Sequence, residues 1–133
     1  MEKEIKELYN AAKEVKERAY APYSNFYVGS ALRTKSGKIF AGCNVENSSY
    51  GVTICAERNA IFKMVSEGEQ EISSILVIGD TEKFLPPCGA CRQVIAEFSK
   101  EDTSVLMCNK YGDIKESTVG EILPFGFSLN EDR

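Results

Sequence analysis

Two short stretches carry most of the chemistry in this sequence. Thr53-Ile54-Cys55-Ala56-Glu57-Arg58 sets a thiol, a carboxylate and a cation side by side, and Pro87-Cys88-Gly89-Ala90-Cys91 is a C-x-x-C. The chain has five cysteines and no histidine. That excludes a Ser-His-Asp triad, a Cys-His pair and any His-ligated metal, and leaves proton transfer to a carboxylate, Lys, Tyr or thiolate. Three thiolates with one position open are the donor set of a catalytic zinc site, whereas structural zinc takes four protein ligands. Cys55, Cys88 and Cys91 are the candidate ligands, and Glu57 is the candidate proton carrier. On an ideal helix a residue two places on points to nearly the opposite side. Cys55 and Glu57 can therefore share a site only if the metal sits beyond the helix end.

Two other readings compete at this level. Cys88-x-x-Cys91 could be a redox motif, which would leave Cys55 idle. A four-cysteine structural zinc site could draw on Cys43 or Cys108. Both of those fall in predicted strands, where a free cysteine is commonly a small buried core residue.

The elements that must position these groups follow from patterning. Ile5, Leu8, Ala12, Val15 and Ala19 have helical spacing and predict an amphipathic helix over 3–20, ended by Ala21-Pro22. Strands are predicted over 26–32 and 39–45 around the turn 35–38, followed by a loop over 46–53. Helices over 55–66 and 88–99 alternate with nearly continuous apolar strands over 72–78 and 104–108, the pattern of strands buried on both faces. A turn at 109–113, a short strand near Ile114 and one helical turn over 118–122 complete the order. A hairpin followed by β-α-β-α-β implies a mixed sheet with helices on its faces. Cys55 and Cys88 each begin a helix, where free backbone N–H groups favour thiolates. Both helix starts can meet at the carboxyl end of the sheet.

The 133 residues are about one domain's worth, and no repeat or linker argues for dividing 1–133. Lys plus Arg is 16 and Asp plus Glu is 20, a formal charge of −4, which argues against a general nucleic-acid binder. The charged start Met1-Glu2-Lys3-Glu4 is unlike a signal peptide, and Ile75-Leu76-Val77-Ile78 is far too short to span a membrane. The odd number of cysteines argues against a disulfide framework and for a reducing cytoplasm.

With both motifs in hand, the chain resembles the zinc-dependent nucleoside cytidine deaminases, in their small three-cysteine form. Their signature is a metal ligand, one residue, a glutamate, and later P-C-x-x-C. Here it reads Cys55-Ala56-Glu57 and Pro87-Cys88-Gly89-Ala90-Cys91. Phe26-x-Val28-Gly29-x-Ala31-Leu32, Asn44-x-Glu46-Asn47 and Leu123-Pro124-x-x-Phe127 are similar to family segments, so the resemblance covers essentially the whole chain. Ser30 departs from the alanine expected in the first of these. Deaminases of nucleotides and nucleic-acid bases usually carry histidine as first ligand, and this chain has none.

The resemblance implies an α/β fold, a three-layer, five-stranded mixed sheet flanked by helices, with one Zn²⁺ per chain on Cys55, Cys88 and Cys91. It implies hydrolytic deamination of cytidine and deoxycytidine to uridine and deoxyuridine plus ammonia, a step of pyrimidine salvage. In that reaction zinc activates water for attack on C4, and Glu57 passes a proton to N3 and then helps ammonia leave. It matches Asn44 and Glu46 to the pair that binds the ribose hydroxyls. It matches Phe26 and Phe127 to aromatic positions along base and sugar, with Tyr50 and the Ala56 N–H and Ala90 C=O as further pocket contacts. Three thiolates on one zinc carry excess negative charge, and Arg58 is placed to offset it; Arg92 is read as structural. The family's small members are homotetramers in which neighbouring chains complete each site. Two alternatives stand beside this one: an aminohydrolase of a cytosine-nucleoside antibiotic such as blasticidin S, and a non-catalytic protein with structural zinc.

Overall fold

The computed structural model describes residues 2–129. Its centre is a five-stranded sheet of order β2-β1-β3-β4-β5, built from β1 (Val28–Thr34), β2 (Ile39–Cys43), β3 (Ile72–Gly79), β4 (Ser104–Cys108) and β5 (Ile114–Thr118). β1 pairs antiparallel with β2 and β3, β3 runs parallel to β4, and β5 returns antiparallel. Helix α1 (Lys3–Lys16) lies on one face. Helices α2 (Ala56–Ser66), α3 (Gly89–Glu97) and the short α4 (Val119–Ile122) lie on the other. This is the expected three-layer α/β sandwich with a mixed sheet.

The period-two alternation of side chains divides the core between the faces. Ile75, Val77, Val105 and Met107 pack with Leu32, Ala60, Ile61 and Ile95 under α2 and α3. Leu76, Ile78, Leu106 and Cys108 pack with Leu8, Ala12 and Ala31 under α1. Both faces of β3 and β4 are thus covered, which is why their sequences are nearly continuous apolar runs. Ser30 is fully buried, and its hydroxyl donates to the Leu76 carbonyl at 2.8 Å, so the polar atom is satisfied where alanine was expected.

Several predicted boundaries move, among them three with a clear cause. The first helix ends at Lys16 rather than residue 20. Arg18 and Ala19 donate to carbonyls only three residues back, and the backbone of Tyr20 is then taken by Asn44 and Glu46. The first strand starts at Val28, not 26, because Asn25 adopts a left-handed φ of 57° and the Phe26 carbonyl accepts from the Asn44 side chain. β2 stops at Cys43 because Val45 leaves the sheet to bridge Tyr20 and Ile54. The predicted 46–53 loop contains one 3₁₀ turn, Tyr50–Val52. Among the described residues no helix is long and apolar enough to cross a membrane.

One glycine controls how α2 sits on the sheet. A Cβ on Gly42 would stand 2.4 Å from the Ala60 nitrogen and under 3 Å from the backbone of Asn59 and Ala56. These are rigid helix atoms, so Gly42→Ala must push α2 outward. Overpacking of this kind costs about 1–3 kcal/mol. A matching fall in the urea midpoint is expected, with weaker metal retention because α2 begins next to Cys55; an unchanged midpoint would contradict this packing.

Candidate active site

The starts of α2 and α3 meet. Cys55 is the N-cap of α2 and Cys88 the N-cap of α3, both with extended backbone and neither using its side chain to cap. Their sulfurs are 3.7 Å apart, and the three Sγ atoms of Cys55, Cys88 and Cys91 lie within 4.8 Å of one another. Tetrahedral zinc with Zn–S bonds near 2.3 Å sets two sulfurs about 3.8 Å apart, so the donor set fits that metal. It is the one such grouping of Cys, Asp and Glu among the described residues. Cys43 is half-buried in β2 and stands outside the cluster. Cys108 faces α1 on the far side of the sheet, where burial pushes its thiol up to about 12. Neither supplies a fourth sulfur, which removes the four-cysteine structural site.

The extended backbone of Cys55 also resolves the helical-spacing difficulty. The helix begins at Ala56, so the angular count from Cys55 to Glu57 does not apply, and Glu57 lines the same cleft as the Cys55 and Cys88 sulfurs. Glu57 is only 4% exposed. Burial, reinforced by charge on Cys55, raises its pKa to about 7, against the pull of Arg58 and a hydrogen bond with Cys91. The Cys55 thiol is shifted toward its ionised form. A hydrogen bond from Cys91 lowers it most, with Arg58 and Cys88 helping, to about 5. The Cys91 thiol is pushed up in turn by that bond, by burial and by Glu57. Arg58 Nη2 lies 3.5 Å from the Cys55 sulfur, and its buried Nε has no partner among the described residues.

The cleft holds about 350 Å³ and is open on one side. Phe26, Val28, Val77, Leu85 and Pro86 form its apolar walls; Ser24, Asn44, Glu46 and Thr53 its polar rim; Ala56, Glu57, Cys55 and Cys88 its floor. Asn44 Oδ1 accepts from the Val28 N–H at 2.9 Å and its Nδ2 donates to the Phe26 carbonyl at 2.8 Å. An amide has two donors and two lone pairs, so one of each is left for a ligand. Glu46 accepts from the N–H groups of Tyr23 and Ser24 and from the Ser24 hydroxyl.

The chain's residues 2–107 match the family described as the cytidine and deoxycytidylate deaminase zinc-binding region. The chain belongs to this zinc-binding deaminase family. It is 50% identical over 124 residues to the cytidine deaminase of Halalkalibacterium halodurans, covering 93% of this chain and 94% of that protein. Its fold superimposes on the crystal structure of cytidine deaminase from Burkholderia pseudomallei with a TM-score of 0.89 at 46% identity, covering 96% of this chain and all of that one. Blasticidin-S deaminase of Bacillus cereus is 29% identical over 112 residues, 78% of this chain and 79% of that protein.

Within this deaminase, most of the predicted site residues line one cleft; Cys91 and Arg58 stand behind it against the Cys55 sulfur, and Tyr50, Phe127 and Ala90 lie outside it. Tyr50 is 79% exposed and lines an adjoining cleft with Tyr23, Ser24, Glu46 and Thr53. Phe127 is 70% exposed, its carbonyl accepts from Gln93, and it lines a separate cleft with Phe125 and Val119. Ala90 is exposed and outside the lining. Arg92 is structural in a specific way: it donates to the Pro87 carbonyl at 2.8 Å and the Ile122 carbonyl at 3.0 Å, tying the α3 entry loop to the end of α4. Sequence reasoning missed Ser24, Thr53, Leu85 and Pro86. Leu85-Pro86 was legible as a rigid segment ahead of Cys88, but nothing in its spacing showed that it walls the cleft.

Proposed function

We propose that the protein is a cytidine/deoxycytidine aminohydrolase, converting its substrate with water to uridine or deoxyuridine and ammonia. The observation that carries this reading is the buried Glu57 carboxyl sharing one cleft floor with the Cys55 and Cys88 sulfurs. Cys55, Cys88 and Cys91 would hold one zinc per chain, which supplies Lewis acidity and a water acidified to near neutrality. Glu57, poised near pH 7, takes a proton from the attacking water and passes it to N3 of the ring; it then takes the proton of the hydroxyl added at C4 and delivers it to the departing amine, so that ammonia leaves as the C4 carbonyl forms. Arg58 and the N–H groups at the two helix starts draw charge from the sulfurs. Phe26, Leu85 and Pro86 sandwich the base, while the Ala56 N–H is offered to its edge. Asn44 and Glu46 take the sugar hydroxyls.

The cleft lining has two carboxylates and no Lys or Arg, which supports a neutral nucleoside as ligand. The identity gradient, 50% against 29%, supports cytidine over blasticidin S as substrate. The protein is read as one domain over 1–133, acting in pyrimidine salvage in the cytoplasm, on no nucleic acid and at no membrane. It is further read as a homotetramer in which Tyr50 and Phe127 reach a neighbour's cleft; their exposure, with that of Phe125, supports this. Zinc-loaded protein is expected to deplete the ultraviolet absorbance of cytidine steadily, and a chelator to stop it. Turnover of blasticidin S with none of cytidine would overturn the reading.

A further inference from the structure

We propose that Ser24 is a positioning residue: its hydroxyl orients the Glu46 oxygen that receives a sugar hydroxyl and so sets affinity for nucleosides with ring hydroxyls. This rests on the nucleoside reading above. Glu46 makes no ion pair among the described residues. It is held instead by neutral donors from one turn. Oε1 accepts from the Tyr23 N–H at 3.0 Å and the Ser24 N–H at 3.1 Å; Oε2 accepts from the Ser24 hydroxyl. A carboxylate has about four acceptor positions. Three are taken, and both on Oε1 are used by backbone, so the open one is on Oε2, the oxygen that only Ser24 orients.

The same hydroxyl accepts from the Phe26 N–H at 3.0 Å. One side chain thus links the carboxylate rim of the cleft to its aromatic wall. Between Ser24 and Phe26, Asn25 takes a left-handed backbone with φ 57°. The Ser24 bond is also the largest influence holding the Glu46 carboxyl below its usual range, in keeping with a hydroxyl that donates to the ionised form.

The turn does not depend on this hydroxyl for its shape. The Asn25 N–H donates to the Ala21 carbonyl at 2.9 Å, the Tyr23 hydroxyl meets the Ser48 hydroxyl at 2.6 Å, and both Oε1 bonds come from backbone. Ser24→Ala should therefore fold and lose only the Oε2 and Phe26 contacts.

The test is steady-state kinetics of the zinc-loaded enzyme on cytidine and on 2′,3′-dideoxycytidine, which lacks the ring hydroxyls. Ser24→Ala should raise KM for cytidine about tenfold, with kcat within about threefold, because the lost interaction is a binding one. On dideoxycytidine, where only the Phe26 contact is affected, the loss should be at least about threefold smaller than on cytidine. Ser24→Thr keeps a hydroxyl and should restore the cytidine KM, while Ser24→Val should not; if Ser24→Ala fails to fold, this pair decides. Equal losses on both substrates, or a loss in kcat alone, would overturn the assignment. A wild-type enzyme inert toward cytidine would instead defeat the nucleoside reading, and this inference with it.

Discussion

Glu57→Gln is expected to lower kcat on cytidine by about 10²–10⁴-fold, the range of one positioned proton carrier, with zinc content unchanged. Gln is close to isosteric, keeps the side chain buried, and removes the only titratable proton carrier at the cleft floor besides the thiols. Stability separates this result from simple unfolding. The carboxyl has its folded pKa raised to about 7 from 4.5. An acid shifted upward favours the folded state at low pH, and that advantage is lost as pH rises from the unfolded value through the folded one. At pH 8 the wild type carries a buried charge that Gln does not, so the melting temperature of Glu57→Gln is expected to equal or exceed that of wild type. Near wild-type turnover in the variant would remove Glu57 from the mechanism.

The second large effect distinguishes the cysteines from one another. Cys91→Ser should reduce bound zinc from about one per chain to a small fraction and abolish turnover, because a catalytic site has only three protein ligands. Cys91 is fully buried among the other two thiols, so a hydroxyl there leaves Cys55 and Cys88 without their third partner. Cys108→Ala should keep its zinc and most of its activity, at a core-packing cost of about 1–2 kcal/mol, since it faces α1 across the sheet. Metal analysis and a urea titration on both variants check this. Zinc retained in Cys91→Ser, or lost in Cys108→Ala, would break the ligand assignment.

The two zinc motifs were legible because their chemistry depends on local spacing. A cysteine at each helix start, with a glutamate two places past one of them, needs no distant information to be noticed. The strands 72–78 and 104–108 were legible because burial on both faces selects continuous apolar runs, and the structure extends the first by one residue and matches the second. The end of α1 was not legible. Ala19 keeps the helical spacing, yet the backbone of Tyr20 is captured by residues 44–46, more than twenty positions away. The role of Arg92 was hidden for the same reason, since its partner carbonyl belongs to Ile122.

The sequence by itself determined the donor types, the absence of histidine, the layered α/β class and the candidate for proton carrier, because these follow from composition and short-range period. Only the tertiary structure decided that Cys55 stands outside its helix with extended backbone, so that Glu57 shares its site despite the two-residue offset. Only the tertiary structure brought Ser24 and Glu46 into contact, and divided Cys108 from the three clustered sulfurs by the thickness of the sheet. These are long-range facts. They depend on which side of a strand a residue faces and where the backbone turns, and both are set by packing between elements rather than by neighbours in the chain.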